Sequence, residues 1–352
     1  MAALQQSQSR STTETSPQDG SRTRNEAPAS AVEELLSAVV QKLADIVSDR
    51  VARSPWAQDA PAGIAPLSGG KHVRARAFLT AAYAYGIPDR PGVRDELIDI
   101  AAALELVHTA SLVHDDIIDA SATRRGAPAL HQLTTPATAI LVGDQLFALA
   151  LAHSASRGAT VTAALTRAFA DLCEGQLLES ALRWDADALA LLERYGALKT
   201  GALFGAAFEL AAHSAERTGA EQLRAREAGI RLGLAFQFAD DLLDIHGDLE
   251  ELGKDHGVDL RNGVPSFPLW LAAQHLFADA GPDHATDQTA LAAVAGSALV
   301  SARTRERIDA LVVEARSVLP PAQDPALLEA AIRAVVTAPA PIRLPNTESE
   351  ES

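Results

Sequence analysis

Six aspartates in two identical spacings carry the clearest chemistry in this chain: Asp115, Asp116 and Asp119, then Asp240, Asp241 and Asp244. Each triplet interrupts apolar sequence, LELVHTASLVHDDIIDA around the first and GLAFQFADDLLDIHGD around the second. A carboxylate carried into such surroundings costs several kcal/mol when nothing offsets its charge. On a helix, positions i and i+4 share a face and i+1 lies about 100° around it. Asp115 and Asp119 should therefore project together with Asp116 beside them, and Asp240, Asp244 and Asp241 should repeat the arrangement. Oxygen-only donors at this spacing suit Mg²⁺, which keeps several waters and shares its remaining positions with phosphate oxygens. Two such clusters facing each other would hold divalent cations around a strongly anionic ligand, a diphosphate foremost. One triplet alone could equally be a solvated acidic face; the apolar flanks and the second copy favour the metal.

The elements that must position these groups are helices. Of the 352 residues, 47% are hydrophobic, enough for one sizeable core, while aromatics make up only 4%. Alanine and leucine dominate and alternating strand patterns are absent. Apolar residues recur at three- and four-residue spacing in AVEELLSAVVQKLADIVSDRVAR, RARAFLTAAYAYG, RDELIDIAAALELVHTASLVHDDIIDA, TAILVGDQLFALALAHSA and TAALTRAFADLCEGQLLESAL. The same spacing runs through ALLERYGALKTGALFGAAFELAAHSAE, LRAREAGIRLGLAFQFADDLLDIHGD and SFPLWLAAQHLF, with two or three weaker helices after them. The chain divides into a polar tail (1–30), a helical domain (31–340) and a short acidic tail (341–352). Both tails are expected to be disordered, and the first lacks the apolar core of a signal peptide.

A net charge of −16 argues against a nucleic-acid partner. No uninterrupted apolar run of membrane-spanning length is present. The single cysteine, Cys173, excludes a disulfide framework, permits a cytoplasmic location and reads as a small core residue.

Five segments then occur in a recognisable order: GGKHVR (69–74), LVHDDIIDASATRRG (112–126), LKTGALF (198–204), FQFADDLLD (236–244) and GKDHGVDLRNG (253–263). In these the chain resembles the trans-polyprenyl (isoprenyl) diphosphate synthases over roughly residues 35–340. The resemblance implies an all-α, isoprenoid synthase-type helical bundle around a central cavity, with a homodimer as the usual assembly. It implies a prenyltransferase that joins isopentenyl diphosphate head-to-tail to an allylic diphosphate. The allylic carbon–oxygen bond ionises with Mg²⁺ assistance, the isopentenyl double bond attacks the carbocation, and a proton is lost to the departed diphosphate.

Residue by residue, the resemblance makes Asp115, Asp119 and Asp240 ligands of Mg²⁺, three ions with substrate bound, supported by Asp116, Asp241 and Asp244. Lys71, Arg74, His108 and Arg125 match the isopentenyl diphosphate site. Arg124, Lys199 and Lys254 match the grip on the allylic diphosphate. Arginine meets phosphate oxygens with a planar fork and lysine adds compact charge. Thr200 and Gln237 match positions facing the carbocation, where a kink at Lys199-Thr200 would free a carbonyl to join them. Outside these matches, Arg124-Arg125 would read as a basic loop, His108 as a satisfied core histidine and His114 as a hydrogen-bond partner.

The chain departs from the family pattern at His72 and Ala75, which stand where a second basic residue and a proline usually follow Lys71 and Arg74. It departs again at Ser266-Phe267-Pro268, in place of Thr-Leu-Pro. Ser111, Ala110 and Val107 should line the product tunnel. The small Ala110 would leave that tunnel open for products of twenty or more carbons, geranylgeranyl or longer, with Leu104 or Phe147 as candidate floors. A class I terpene cyclase would lack Lys71, Arg74 and Arg125 as a set and would not carry DDLLD as its second metal motif. A non-catalytic partner subunit would usually have lost aspartates from one triplet.

Overall fold

The computed structural model describes residues 19–338, apart from 52, 56, 58–66, 68, 247–259, 262 and 281–287. Helix α1 (Asp19–Ile46) runs into a π-helical turn at Val47–Val51, followed by α2 (Val73–Tyr85) and α3 (Val93–Ile118). Helix α1 starts twelve positions before residue 31, so part of the expected tail is helical; residues 1–18 and 339–352 lie outside the described residues. A hairpin (β1 Thr123–Arg124, β2 Ala127–Pro128) and a short α4 (Leu130–Leu133) lead to α5 (Pro136–Ala155) and α6 (Ala159–Leu178). Then come α7 (Leu189–Gly196), a π-helical turn at Ala197–Gly201, α8 (Ala202–Ser214) and α9 (Gly219–His246). Helices α10 (Phe267–Ala280), α11 (Gln288–Ala295), α12 (Ala298–Val318) and α13 (Pro325–Val336) close the described chain. The only sheet among the described residues is the two-stranded hairpin, so the all-α expectation holds.

Helix α3 is the central rod, packed by α1, α2 and α5, and α8 lies between α2, α6 and α9. Small residues set these distances. A methyl on Gly229 would come within 2.6 Å of the Phe204 carbonyl oxygen, and one on Gly233 within 2.6 Å of Gly201 Cα. The α8–α9 crossing therefore needs both glycines, and it brings the π-turn beside the second aspartate triplet. Local caps fix two helix starts. The Thr135 hydroxyl accepts from Thr138 N–H with Pro136 at the first helical position, and Asp324 accepts from Leu327 N–H ahead of Pro325.

Helices α3 and α5 are both long and apolar enough to cross a membrane by length and composition. Most of α3 is buried in the bundle, whereas α5 leaves Ile140, Leu141 and Leu151 exposed. Cys173 is exposed on the surface of α6, which corrects its expected place in the core: it falls on the outward side of an amphipathic helix whose inward positions are Leu165, Ala168 and Leu172. Ala110 is fully buried, with Val107 and Ser111 nearly so.

Candidate active site

The first triplet straddles a helix end. Helix α3 stops at Ile118, and Asp119 takes the cap position, its N–H still donating to Asp115 O at 2.8 Å. Asp115 and Asp119 thereby keep their i, i+4 relation. Burial lifts the Asp115 carboxyl to about 6, with repulsion from Asp119 adding to the rise and the Lys199 ammonium opposing it. Asp119 is raised for the same main reason. Asp116 is buried and differently placed: it accepts from Arg124, whose Nε lies 2.8 Å away.

Arg124 and Arg125 are separated by the hairpin that carries them. Arg125 and Gly126 occupy its two-residue loop, both with positive φ (53° and 73°) as the strand twist requires. Arg124 turns inward to Asp116, and Arg125 donates to the Gly69 carbonyl. A cavity of about 30 Å³, room for one water, lies between α3 and the hairpin beside Asp116, Arg124 and Arg125.

Lys199 and Thr200 sit in the π-turn between α7 and α8, so the expected kink is present as a bulge of i→i+5 bonding. The two residues face different triplets. Lys199 Nζ donates to Glu179 at 2.6 Å, and the charges of Asp115 and Asp119 act with Glu179 to hold the ammonium protonated against burial. The Thr200 hydroxyl donates to Gln237 Oε1, and Gln237 Nε2 donates to Asp241 Oδ1 at 2.7 Å. The other Asp241 oxygen accepts from Phe267 N–H at 3.3 Å. Phe267, one of the departures from the family pattern, stacks on Phe238 with centroids 4.2 Å apart and seats that N–H. Asp244 is buried and Asp240 half-buried.

The remaining basic residues gather at the start of α2. Arg74 is buried, with its guanidinium 4.8 Å over the Phe204 ring, and its Nε has no hydrogen-bond partner among the described residues. Burial pulls its pKa down to about 10, against the attraction of Glu105. His108 is held well below its ordinary value, first by burial and then by Arg74, Arg125, Arg124 and His72, so it is neutral at pH 7. Lys71 is exposed and donates to the Ala338 carbonyl at 2.9 Å. Lys254 lies outside the described residues. His114 contacts Ile140 O at 3.0 Å, in keeping with a hydrogen-bonding role.

Two carboxylates of this region escaped the reading of the sequence. Glu179 takes both Lys199 and the Tyr195 hydroxyl (2.7 Å), and Glu105 packs against the start of α2. Neither lies in a repeated motif, and their partners are 16 to 30 positions away.

The donor set fits Mg²⁺. Asp115 and Asp119 offer carboxylate oxygens of the kind Mg²⁺ takes, and burial raises the pKa of both. Asp116 and Asp241 are instead engaged by Arg124 and Gln237. Among the described residues no three His, Cys, Asp or Glu side chains form a metal cage by themselves.

Comparison with known proteins agrees with this geometry. The profile of the polyprenyl synthetase family matches residues 60–289. The octaprenyl diphosphate synthase of Escherichia coli (strain K12) is 36% identical over 211 residues, 59% of this chain and 63% of that protein. The match thus spans less than two thirds of that relative's length. Component 2 of the heptaprenyl diphosphate synthase of Geobacillus stearothermophilus is 32% identical over 260 residues, 70% of this chain and 79% of that one. Among solved structures, a polyprenyl synthase from Caulobacter crescentus CB15 complexed with calcium and isoprenyl diphosphate superposes with a TM-score of 0.72. It is 31% identical, and the match covers 88% of this chain and 97% of that one.

Proposed function

The chain belongs to the polyprenyl synthetase family, and from that membership and its site we propose that it is a trans-polyprenyl diphosphate synthase. It extends an allylic diphosphate with isopentenyl diphosphate to a product of twenty or more carbons. The observation that carries this reading is the division of labour at the π-turn: Lys199 reaches toward the first aspartate triplet while Thr200, through Gln237, reaches the second.

In this reading Asp115, Asp119 and Asp240 hold Mg²⁺, with Asp116, Asp241 and Asp244 supporting. Mg²⁺, when bound, supplies positive charge beside the diphosphate that leaves with the bonding electron pair. The rest is work for side chains of this chain. Lys199, Arg124 and Lys254 grip the allylic diphosphate, which requires Lys199 to leave Glu179 and Arg124 to share Asp116. Lys71, Arg74, Arg125 and the neutral His108 hold the isopentenyl diphosphate; the buried guanidinium of Arg74, whose Nε has no partner among the described residues, is suited to an anion. Thr200 and Gln237 present oxygens toward the carbon that becomes cationic. Attack by the isopentenyl double bond forms the new carbon–carbon bond, and the released diphosphate accepts the proton then lost.

A long product is supported by the octaprenyl and heptaprenyl relatives and by the absence of bulk at Ala110. Because Ala110 is buried in the resting structure, neighbouring side chains must part to admit the growing chain. A homodimer in the cytoplasm completes the proposal. Its supporting feature is the outer side of α5 and α6, where Ile140, Leu141, Leu151 and Leu177 stand exposed.

A second reading rests on the heptaprenyl relative named as component 2: a subunit that elongates only with a partner chain. One experiment separates the two. Purified protein with Mg²⁺, isopentenyl diphosphate and, separately, dimethylallyl, geranyl and farnesyl diphosphates is assayed for product length, and its mass is measured in solution. A dimer making products of twenty or more carbons is expected. A product ending at fifteen carbons refutes the chain-length reading, and a folded but inactive chain favours the partner-dependent subunit.

A further inference from the structure

Glu105 is buried in the middle of α3, ten positions before the first aspartate triplet, and the proposed chemistry leaves it without a task. Its surroundings give it one. The first turn of any α-helix exposes backbone N–H groups with no partner inside the helix. In α2 the residue at the cap, His72, makes no side-chain cap bond and takes a left-handed backbone (φ 48°, ψ 44°) that non-glycine residues seldom adopt. The cap comes instead from another helix: Glu105 Oε1 accepts from Ala75 N–H at 2.9 Å. The family pattern places proline at this position, which has no N–H to give, so the alanine of this chain supplies the donor. The second oxygen, Oε2, stands 3.4 Å from His72 Nδ1. Its carboxylate charge also acts on the Arg74 guanidinium.

We propose that Glu105 is a positioning residue for the isopentenyl diphosphate grip, clamping the start of α2 from within the core so that Lys71 and Arg74 meet the phosphate in a fixed register. The proposal rests on the functional reading above. Geometry supports it. A carboxylate at a helix N-terminus is favoured by the exposed N–H groups and the helix dipole. The same carboxylate bonds Ala75 N–H on one side of the Val73–Arg74 step and stands 3.4 Å from His72 Nδ1 on the other. And the two side chains that the clamp orients differ in exposure: Arg74 is buried and Lys71 reaches the surface, so a shift of this turn moves both at once. The second diphosphate grip, at Lys199, is built on the π-turn and does not share this clamp.

The test uses the full-length protein with Mg²⁺, and compares wild type with Glu105→Gln and Glu105→Asp. Glutamine keeps an acceptor for Ala75 N–H but loses the charge facing His72 and Arg74; aspartate keeps the charge but draws it back by one methylene. Steady-state KM is measured for isopentenyl and allylic diphosphates separately, with isopentenyl diphosphate binding by calorimetry and thermal unfolding alongside. The expected result is a KM and a dissociation constant for isopentenyl diphosphate raised roughly tenfold in both variants, a loss of affinity near 1.4 kcal/mol, with the allylic KM unchanged. Should Glu105→Gln fail to fold, Glu105→Asp decides by the same split. Unchanged or tighter isopentenyl diphosphate binding overturns the proposal, as does a lowered unfolding temperature that raises both KM values equally, since that is the mark of a purely structural carboxylate. Wild-type protein that neither binds nor elongates isopentenyl diphosphate overturns the functional reading and this proposal with it; wild-type turnover without the split overturns this proposal alone.

Discussion

Gly175→Ala gives the most direct test of how α6 sets the π-turn. A methyl group at Gly175 would stand 2.4 Å from the backbone nitrogen of Lys199, 2.8 Å from its Cα and 3.0 Å from the Leu198 carbonyl carbon. All three are backbone atoms, so no side-chain rotation relieves the contact. Non-bonded carbon settles at about 3.5–4.0 Å from its neighbours, so α6 and the turn must separate by roughly 1 Å. Overpacking of this kind costs about 1–3 kcal/mol, a fall of several degrees in unfolding temperature for a domain this large. The displaced residue is Lys199, and a shift of about 1 Å in a positioning element can lower turnover on the order of a hundredfold. Thermal unfolding followed by circular dichroism reads the first quantity, and single-turnover elongation at saturating isopentenyl diphosphate reads the second. A Gly175→Ala protein with wild-type unfolding temperature would show that the turn yields freely. A destabilised variant with wild-type turnover would refute the link between this packing and the chemistry.

Metal binding should follow the titration of the first triplet. A carboxyl raised to about 6 by burial holds a proton in the folded state that the unfolded chain has released, so in metal-free protein its contribution to stability is lost as pH rises through about 6. Mg²⁺ needs the carboxylate, so the ion should raise the unfolding temperature markedly at pH 7.5 and far less at pH 5.5; equal shifts at both would refute the assignment. Thr200→Val removes the hydroxyl that meets Gln237, with an expected loss of about 1 kcal/mol in denaturant unfolding. It should also lower kcat while leaving both KM values near wild type. Arg74→Lys keeps the charge but loses the planar fork over Phe204. Isopentenyl diphosphate should then bind roughly tenfold more weakly by calorimetry, the equivalent of one charged hydrogen bond.

Much of this site is legible in the sequence, for a definable reason. The aspartate triplets, GGKHVR and LKTGALF are local patterns, and an i, i+4 spacing on a helix fixes which side chains share a face. The helices were equally legible, since apolar residues at three- and four-residue spacing leave little alternative in a chain so rich in alanine and leucine. Where the reading erred, exposure was at issue. Cys173 was expected inside because cysteine is usually buried, but the helix face it occupies looks outward.

The sequence by itself determined the fold class, the family and the identity of the charged groups, because each rests on residue type and short-range spacing. Only the tertiary structure decided who partners whom. It put Glu179 on Lys199, Glu105 under Ala75 and Asp116 against Arg124, and divided Lys199 from Thr200 between the two triplets. The placing of Lys199 and Thr200 depends on close approaches at Gly175, Gly229 and Gly233, where backbones from distant parts of the chain meet at distances that no neighbouring residue encodes.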